Sequence, residues 1–348
     1  MECVNIAIRA DGSAKIGMGH LMRCLSIALV LQEKHVKVLF ITKHQQSKEF
    51  VVEKGFDCEI LSGCYENMEA EIEETLNVLS KRNIQLLLVD SYQATEEYLA
   101  RLNAVIPVFY LDDLGRMGLP VSGLINYNIY GKKMGYESYY PINTKLLLGS
   151  SYAPVKAAFR NTPYRVRDEV SNILITMGGS DFLNIAGQLG KALVHVLPQD
   201  ITLTLVCGRF SPHLEAVRTL AKEVPERIQV LTDVSNMWDV MQRCDLAIAA
   251  AGSTMYELCT MGIPTICCYY VENQRRMAEC FGQETSMLNA GDFSANPEQV
   301  LSKITAHVLT LTNDLSMRMK LAAEMQKVSD GVGAWRIAEI LQEFSALK

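Results

Sequence analysis

Residues 9–23 read Arg-Ala-Asp-Gly-Ser-Ala-Lys-Ile-Gly-Met-Gly-His-Leu-Met-Arg. An apolar run over 4–8 precedes them, and a helical pattern follows with Leu21, Leu25, Ala28, Leu29 and Gln32 on one side. The stretch is therefore a strand-to-helix turn, with glycines at 12, 17 and 19 and His20 at the mouth of the helix. Glycine lets backbone N–H groups approach an anion, and a helix start attracts negative charge. Gly17 and Gly19 are expected to face a phosphate-bearing ligand. A histidine placed there suits general acid or base work, and it equally suits a plain helix start. Neither G-x-G-x-x-G nor G-x-x-x-x-G-K-[ST] occurs here, so neither familiar nucleotide loop accounts for the turn.

Working outward, short continuous apolar runs over 4–8, 36–42, 58–61, 85–90 and 105–111 alternate with helical patterns over 20–33, 48–54, 66–83 and 95–103. That rhythm means a parallel sheet covered on both faces, with ligands at the carboxyl ends of the strands. Polar groups fall at those ends: Arg9 and Asp11, then Asp90 with Tyr92, then Asp112 with Asp113. Residues 114–170 break the rhythm with Gly, Pro and an aromatic segment, apart from a short strand over 145–148. A polar stretch over 160–171 reads as a linker. From 172 the alternation restarts, with strands over 172–177, 201–207, 229–231, 246–250 and 265–270, and helices to the end. The expected division is 1–160 and 171–348.

The 348 residues exceed one typical core, which agrees with two domains. Hydrophobic residues make up 49% and charged ones 21%, the net charge is −6, and no Lys/Arg run occurs. Nucleic acid is excluded as an expected partner. The ten cysteines include no C-x-x-C pair, and the six histidines have no zinc spacing. No metal or cofactor is expected. No leader opens the sequence and no apolar run reaches the length of about 18 residues that spans a bilayer, so a cytoplasmic protein without integral membrane contact is expected. Nothing in the sequence sets an oligomeric state.

Two turns in the second half carry ligand-binding potential. Gly178-Gly179-Ser180-Asp181 lies between a strand and a helix, where it serves as a phosphate-binding turn or as a tight turn with a helix cap. Gly252-Ser253-Thr254 opens another helix, with Glu257 one turn on. Its hydroxyls and amides suit a diphosphate and its carboxylate a ribose. Thr254 with Glu257 also makes a capping box.

Together the motifs R-A-D-G-S-x-x-I-G-M-G-H-x-x-R (9–23), L-G-S-S-Y-A-P-V (148–155), M-G-G-S-D (177–181), A-G-S-T-M-Y-E (251–257) and E-N-Q (272–274) resemble the UDP-2,4-diacetamido-2,4,6-trideoxy-β-L-altropyranose hydrolases of pseudaminic acid biosynthesis and their spore-coat polysaccharide relatives. The resemblance implies a GT-B fold, two doubly wound Rossmann-like domains facing a cleft. It implies a UDP-sugar substrate, water attacking the anomeric carbon without a metal, and release of UDP. His20 is then the general base, Tyr92 and Asn273 contact the sugar, and Arg9, Gly17, Gly19 and Gln274 also belong to the substrate site. Gly178, Gly179, Ser180, Asp181, Gly252, Ser253, Thr254 and Glu257 hold UDP. Asp11 is the expected partner of the His20 imidazole. The family's Asp-His-Tyr-Gly is here Asp90-Ser91-Tyr92-Gln93, and its Gly-Gly-Thr-Asp has Ser180 in place of Thr. A glycosyltransferase of the same fold, or a non-catalytic nucleotide-sugar-binding protein, is the alternative reading.

Overall fold

The computed structural model describes residues 4–13, 16–160, 166–179, 181–208, 211–234 and 236–346. The chain forms two units, Met1–Ala157 with Val332–Lys348, and Ala158–Gly331.

In the first unit β1 (Asn5–Ala10), α1 (Gly19–Glu33), β2 (Lys37–Thr42), α2 (Gln45–Glu53), β3 (Asp57–Ile60), α3 (Ile72–Lys81), β4 (Leu86–Asp90), α4 (Glu96–Asn103), β5 (Val108–Leu111), β6 (Gly123–Asn126) and β7 (Lys145–Leu148) follow in order. The strands make one parallel sheet in the order β3-β2-β1-β4-β5-β6-β7. β4 is buried along its whole length and β1 along all but its first residue, which is why both read as unbroken apolar runs. The strand order reverses between β1 and β4. In a doubly wound sheet that reversal opens a crevice at the carboxyl ends of the two strands, and the turn after β1 and residues 90–92 both stand there.

The second unit repeats the plan with β8 (Asn172–Thr176), α5 (Ile185–Val196), β9 (Thr202–Cys207), α6 (Leu214–Glu223), β10 (Ile228–Thr232), α7 (Met237–Met241), β11 (Leu246–Ala250), α8 (Thr254–Met261), β12 (Thr265–Tyr269), α9 (Glu272–Glu284), β13 (Leu288–Asp292), α10 (Pro297–Asn313) and α11 (Leu315–Val328). Its six-stranded parallel sheet runs β10-β9-β8-β11-β12-β13. The reversal lies between β8 and β11, where the two glycine turns begin. α8 ends as its sequence signals, with Gly262 in the left-handed region at φ 66°.

Three features differ from the sequence reading. β6 was hidden in the segment expected to be irregular. It has four residues, and it opens on Gly123, where a Cβ would press into the Phe109 ring. β13 interrupts the expected helical tail. The last helix, α12 (Gly333–Ala346), belongs to the first unit, so the second unit stops at 331 rather than 348. α12 packs on α1: Gln342 donates to the Lys34 carbonyl, the Lys34 ammonium sits 4.3 Å from the Trp335 ring centre, and Phe344 meets Phe109 edge-on. This second cover explains why α1 buries ten of its fifteen residues instead of one stripe. Among the described residues no helix is long and apolar enough to cross a membrane.

Candidate active site

The turn after β1 is held by its own chain. The Ser47 hydroxyl accepts from the Gly12 amide at 2.9 Å and donates to the Gly12 carbonyl at 2.7 Å. Ser13 and Gly17 exchange two backbone bonds of 3.2 and 2.8 Å, and Gly17 sits at φ 80°. Glycine is required at 17 for that conformation. The Gly17 amide is consumed by Ser13, so it does not face a ligand as expected. α1 then starts at Gly19 with no side-chain cap and no acid in its first turn, and a Cβ on Gly19 would meet open space. Among the described residues no side chain caps the helix start, which favours an anion there, and His20 is its second residue.

His20 lies against the end of β4. Its Nδ1 is 2.6 Å from Asp90 Oδ1. Arg23, one turn further on, grips the same carboxylate through Nε to Oδ2 and Nη2 to Oδ1, both 2.6 Å. Its Nη1 donates to Asp113 Oδ2 at 2.7 Å and to the Tyr127 hydroxyl at 3.0 Å. Tyr92 stands edge-on to the imidazole with ring centres 4.5 Å apart and donates its hydroxyl to Asp113 Oδ2 at 3.0 Å. Asp90 and Arg23 are buried, His20 is 8% exposed and Tyr92 is 37% exposed. Burial pushes the Asp90 carboxyl up, but Arg23 and then His20 outweigh it and hold the group well below the usual carboxylate range. Burial, reinforced by Asp113, pushes the Tyr92 phenol up, so it remains a neutral donor.

The bond partners assign the ring proton. Arg23 Nη2 also approaches Nδ1, at 2.9 Å, yet a guanidinium only donates. A carboxylate oxygen 2.6 Å from a ring nitrogen requires a proton between them. Nδ1 therefore carries the hydrogen and gives it to Asp90, so that in the neutral imidazole Nε2 is the acceptor.

Asp11 is not the partner of His20. Its Oδ1 accepts from the Thr42 hydroxyl at 2.5 Å and the Lys43 amide at 2.8 Å, and its other oxygen pairs with Arg9. Burial raises the Asp11 carboxyl, but Arg9 and then Thr42 hold it low. Arg9 is fully buried and also takes Glu71 through Nε and Nη2 at 2.7 and 3.2 Å. Lys43 Nζ reaches Glu71 at 3.0 Å, and the Tyr98 hydroxyl donates to it at 3.1 Å. Arg9 and Asp11 thus form a charge-balanced brace beneath the turn, and Arg9 has no surface to offer a substrate.

In the second unit Gly178 sits at φ 82° and the Tyr270 hydroxyl donates to the Met177 carbonyl at 2.7 Å. Gly208 packs so closely beneath Gly179 that a Cβ there would lie 1.9 Å from the Gly179 carbonyl oxygen. Ser180 lies outside the described residues. The Asp181 carboxylate accepts from the Ile185 and Ala186 amides at 2.8 and 3.0 Å and so closes the start of α5. It is a cap, not a group turned to a phosphate. α8 is different. Its cap residue is Ser253 rather than Thr254, no side chain caps it, and Gly252 has open space where a Cβ would be. Thr254 is thus the first residue of α8 rather than its cap. Asn273 is exposed in the first turn of α9, which also has no side-chain cap, while Gln274 Oε1 accepts from the Tyr270 amide at 3.2 Å and so fastens the strand-to-helix junction. Among the described residues no group of three or more His, Cys, Asp and Glu could hold a metal.

The structure thus brings together His20 and Tyr92 in the first unit, and Gly178, Gly179, Gly252, Ser253 and Thr254 at the strand ends of the second. It adds Arg23, Asp90, Asp113 and Tyr127. The signals for these were the i, i+3 spacing of His20 and Arg23 on α1 and the position of both aspartates at strand ends.

Two Rossmann-like units of parallel sheet define a GT-B fold, and solved structures agree. MurG of Acinetobacter baumannii matches with a TM-score of 0.69 at 17% identity, covering 98% of this chain and 99% of that one. The glycosyltransferase family 28 C-terminal domain matches residues 172–332. Among curated proteins, the chain is similar to the spore coat polysaccharide biosynthesis protein SpsG of Bacillus subtilis (strain 168), 26% identical over 98% of both chains. It is also similar to the UDP-2,4-diacetamido-2,4,6-trideoxy-beta-L-altropyranose hydrolase of Campylobacter jejuni, 26% identical over 79% of this chain and 95% of that protein.

Proposed function

We propose that the chain is an enzyme of surface polysaccharide or nonulosonate biosynthesis that hydrolyses a UDP-linked 2,4-diacetamido-2,4,6-trideoxy sugar. The observation that carries this reading is the pairing of His20 Nδ1 with Asp90, which leaves Nε2 able to accept a proton. Similarity to the Campylobacter hydrolase over nearly all of that protein supports the substrate class.

In this reading the turns at 178–179 and 252–254 hold the diphosphate with backbone amides and hydroxyls, and Glu257 accepts from the ribose. Tyr92 and Asn273 contact the sugar. Water attacks C1 as His20 Nε2 takes one of its protons. The new C1–O bond forms, the bond from C1 to the phosphate oxygen breaks, and UDP leaves with the electron pair. A positioned base of this kind contributes about 10²–10⁴-fold. No step calls on a metal.

Glycosyl transfer is the second reading, favoured by the family 28 match and by 26% identity to the N-acetylglucosamine transferase of Helicobacter pylori (strain J99) over 71% of this chain. The same base would then deprotonate an acceptor hydroxyl. Release of UDP from UDP-2,4-diacetamido-2,4,6-trideoxy-β-L-altropyranose, with EDTA and no acceptor, decides between them. Multiple turnover supports hydrolysis. Turnover only after an acceptor sugar is added overturns it.

A further inference from the structure

The contacts around His20 close into a ring. His20 bonds to Asp90, Asp90 to Arg23, Arg23 to Asp113, Asp113 to Tyr92, and Tyr92 returns edge-on to His20. Arg23 is the joint of that ring, because its fork takes both oxygens of Asp90 while its remaining nitrogen reaches Asp113 and Tyr127.

We propose that Arg23 and Asp113 are positioning residues: Arg23 fixes the Asp90 carboxylate against Nδ1 of His20, and Asp113 fixes both Arg23 and the Tyr92 ring, so that the imidazole is held in one tautomer and one orientation with Nε2 outward. The inference rests on the reading of His20 as the base.

The chemistry favours this assignment over a simple structural ion pair. A guanidinium matches a carboxylate through two parallel bonds, which fixes the plane of Asp90 as well as its position. The Tyr92 hydroxyl is spent on Asp113, so the sugar meets the ring of Tyr92 and not a free phenol. With a neutral imidazole, Asp90, Asp113 and Arg23 sum to one negative charge, and a proton arriving on His20 brings the set to neutrality. The cluster is thus arranged around the protonated product of the base step.

The test uses the full chain with ¹⁵N-labelled histidine. Wild type is expected to show His20 with a protonated Nδ1 and a bare Nε2. Arg23→Gln removes the fork with little change of length. Its His20 is expected to become a mixture of tautomers, and UDP release is expected to fall about 10²-fold in kcat, the scale of a small misplacement of a reacting group, with KM and the Kd for UDP within about twofold. Arg23→Ala is expected to regain part of its kcat in millimolar guanidinium. If Arg23→Gln fails to fold, Asp113→Asn reads the same nitrogens at a partly exposed position, with a smaller shift in the same direction. A proton on Nε2 in wild type, or an unchanged single tautomer in Arg23→Gln, overturns the proposal. Absence of turnover by wild type overturns the hydrolase reading instead, and the nitrogen signals still judge the positioning.

Discussion

His20 and Asp90 stand 70 residues apart in sequence and 2.6 Å apart in space, Nδ1 to Oδ1. The fold makes this meeting: β1 and β4 are neighbours at the strand-order reversal, so the helix after one faces the last residue of the other. Asp90→Asn keeps the shape of the pair and adds an amide that can donate to Nδ1, which favours the opposite tautomer. UDP release by Asp90→Asn is expected to fall about 10²–10⁴-fold in kcat, comparable with His20→Asn. Both variants should bind UDP in calorimetry as wild type does. Full turnover by His20→Asn removes His20 from the chemistry, and full turnover by Asp90→Asn removes Asp90 from control of its tautomer.

Acid should unfold the first unit through Asp90 and Asp11. Both carboxyls are held low in the fold, against burial, by Arg23 and Arg9. A carboxyl unfolds to a pKa of about 3.9, so its contribution is complete above that value and is lost as pH falls through the lower folded values. Denaturant melts at pH 7, 5 and 3 should therefore show nearly constant stability between 7 and 5 and a steep loss toward 3 and below. A melt that weakens equally from 7 to 5 would point to other groups.

Much of this was legible in the sequence, and the gaps have physical causes. Buried parallel strands have to be continuous apolar runs, so β1, β4 and β11 stand out. β6 does not, because four residues opening on a glycine carry too little pattern, and the Phe109 ring that demands Gly123 is distant in sequence. His20 was recognisable by its place at a helix mouth. Its partner was not: Asp11 is nearer in sequence, and only the sheet order puts Asp90 beside the ring and Asp11 beside Arg9. The polarity of Arg9 suggested a ligand contact, whereas Glu71, whose side chain neutralises it from 62 residues away, gave no sequence sign of doing so.

That brace predicts a stability effect separate from activity. Arg9→Met preserves length and apolar packing but leaves Asp11 and Glu71 without their shared guanidinium, with Lys43 as the cation that still reaches Glu71 among the described residues. Removing one partner of a buried charge set costs about 3–5 kcal/mol. Chemical denaturation should report a loss of that size. A change below about 1 kcal/mol would mean that the two carboxyls find water or protons at little cost.

Tyr92 should act through its ring more than its hydroxyl. Its phenol is a neutral donor to Asp113, and the ring edge fixes one side of the imidazole. Tyr92→Phe loses one exposed hydrogen bond, worth about 0.5–1.5 kcal/mol, and is expected to lower kcat only severalfold. Tyr92→Ala also removes the ring and frees the imidazole to tilt, so a loss near 10²-fold is expected. Equal effects of the two variants would assign the work to the hydroxyl.

The second unit can be tested by two glycines with opposite surroundings. At Gly208 an added Cβ would lie 1.9 Å from the Gly179 carbonyl oxygen, so Gly208→Ala has to push the turn at 178–179 out of place. At Gly252 the same Cβ meets nothing within 4 Å, so Gly252→Ala should fold and melt as wild type. If backbone amides at both turns hold the diphosphate, both variants lose UDP affinity, Gly208→Ala through the displaced turn and Gly252→Ala because its methyl group fills the space beside the uncapped start of α8. Calorimetric titration with UDP should show each Kd raised about tenfold or more, with only Gly208→Ala losing thermal stability. Unchanged UDP binding by Gly252→Ala would move the diphosphate away from α8, and unchanged binding by Gly208→Ala would release the turn at 178–179 from that role.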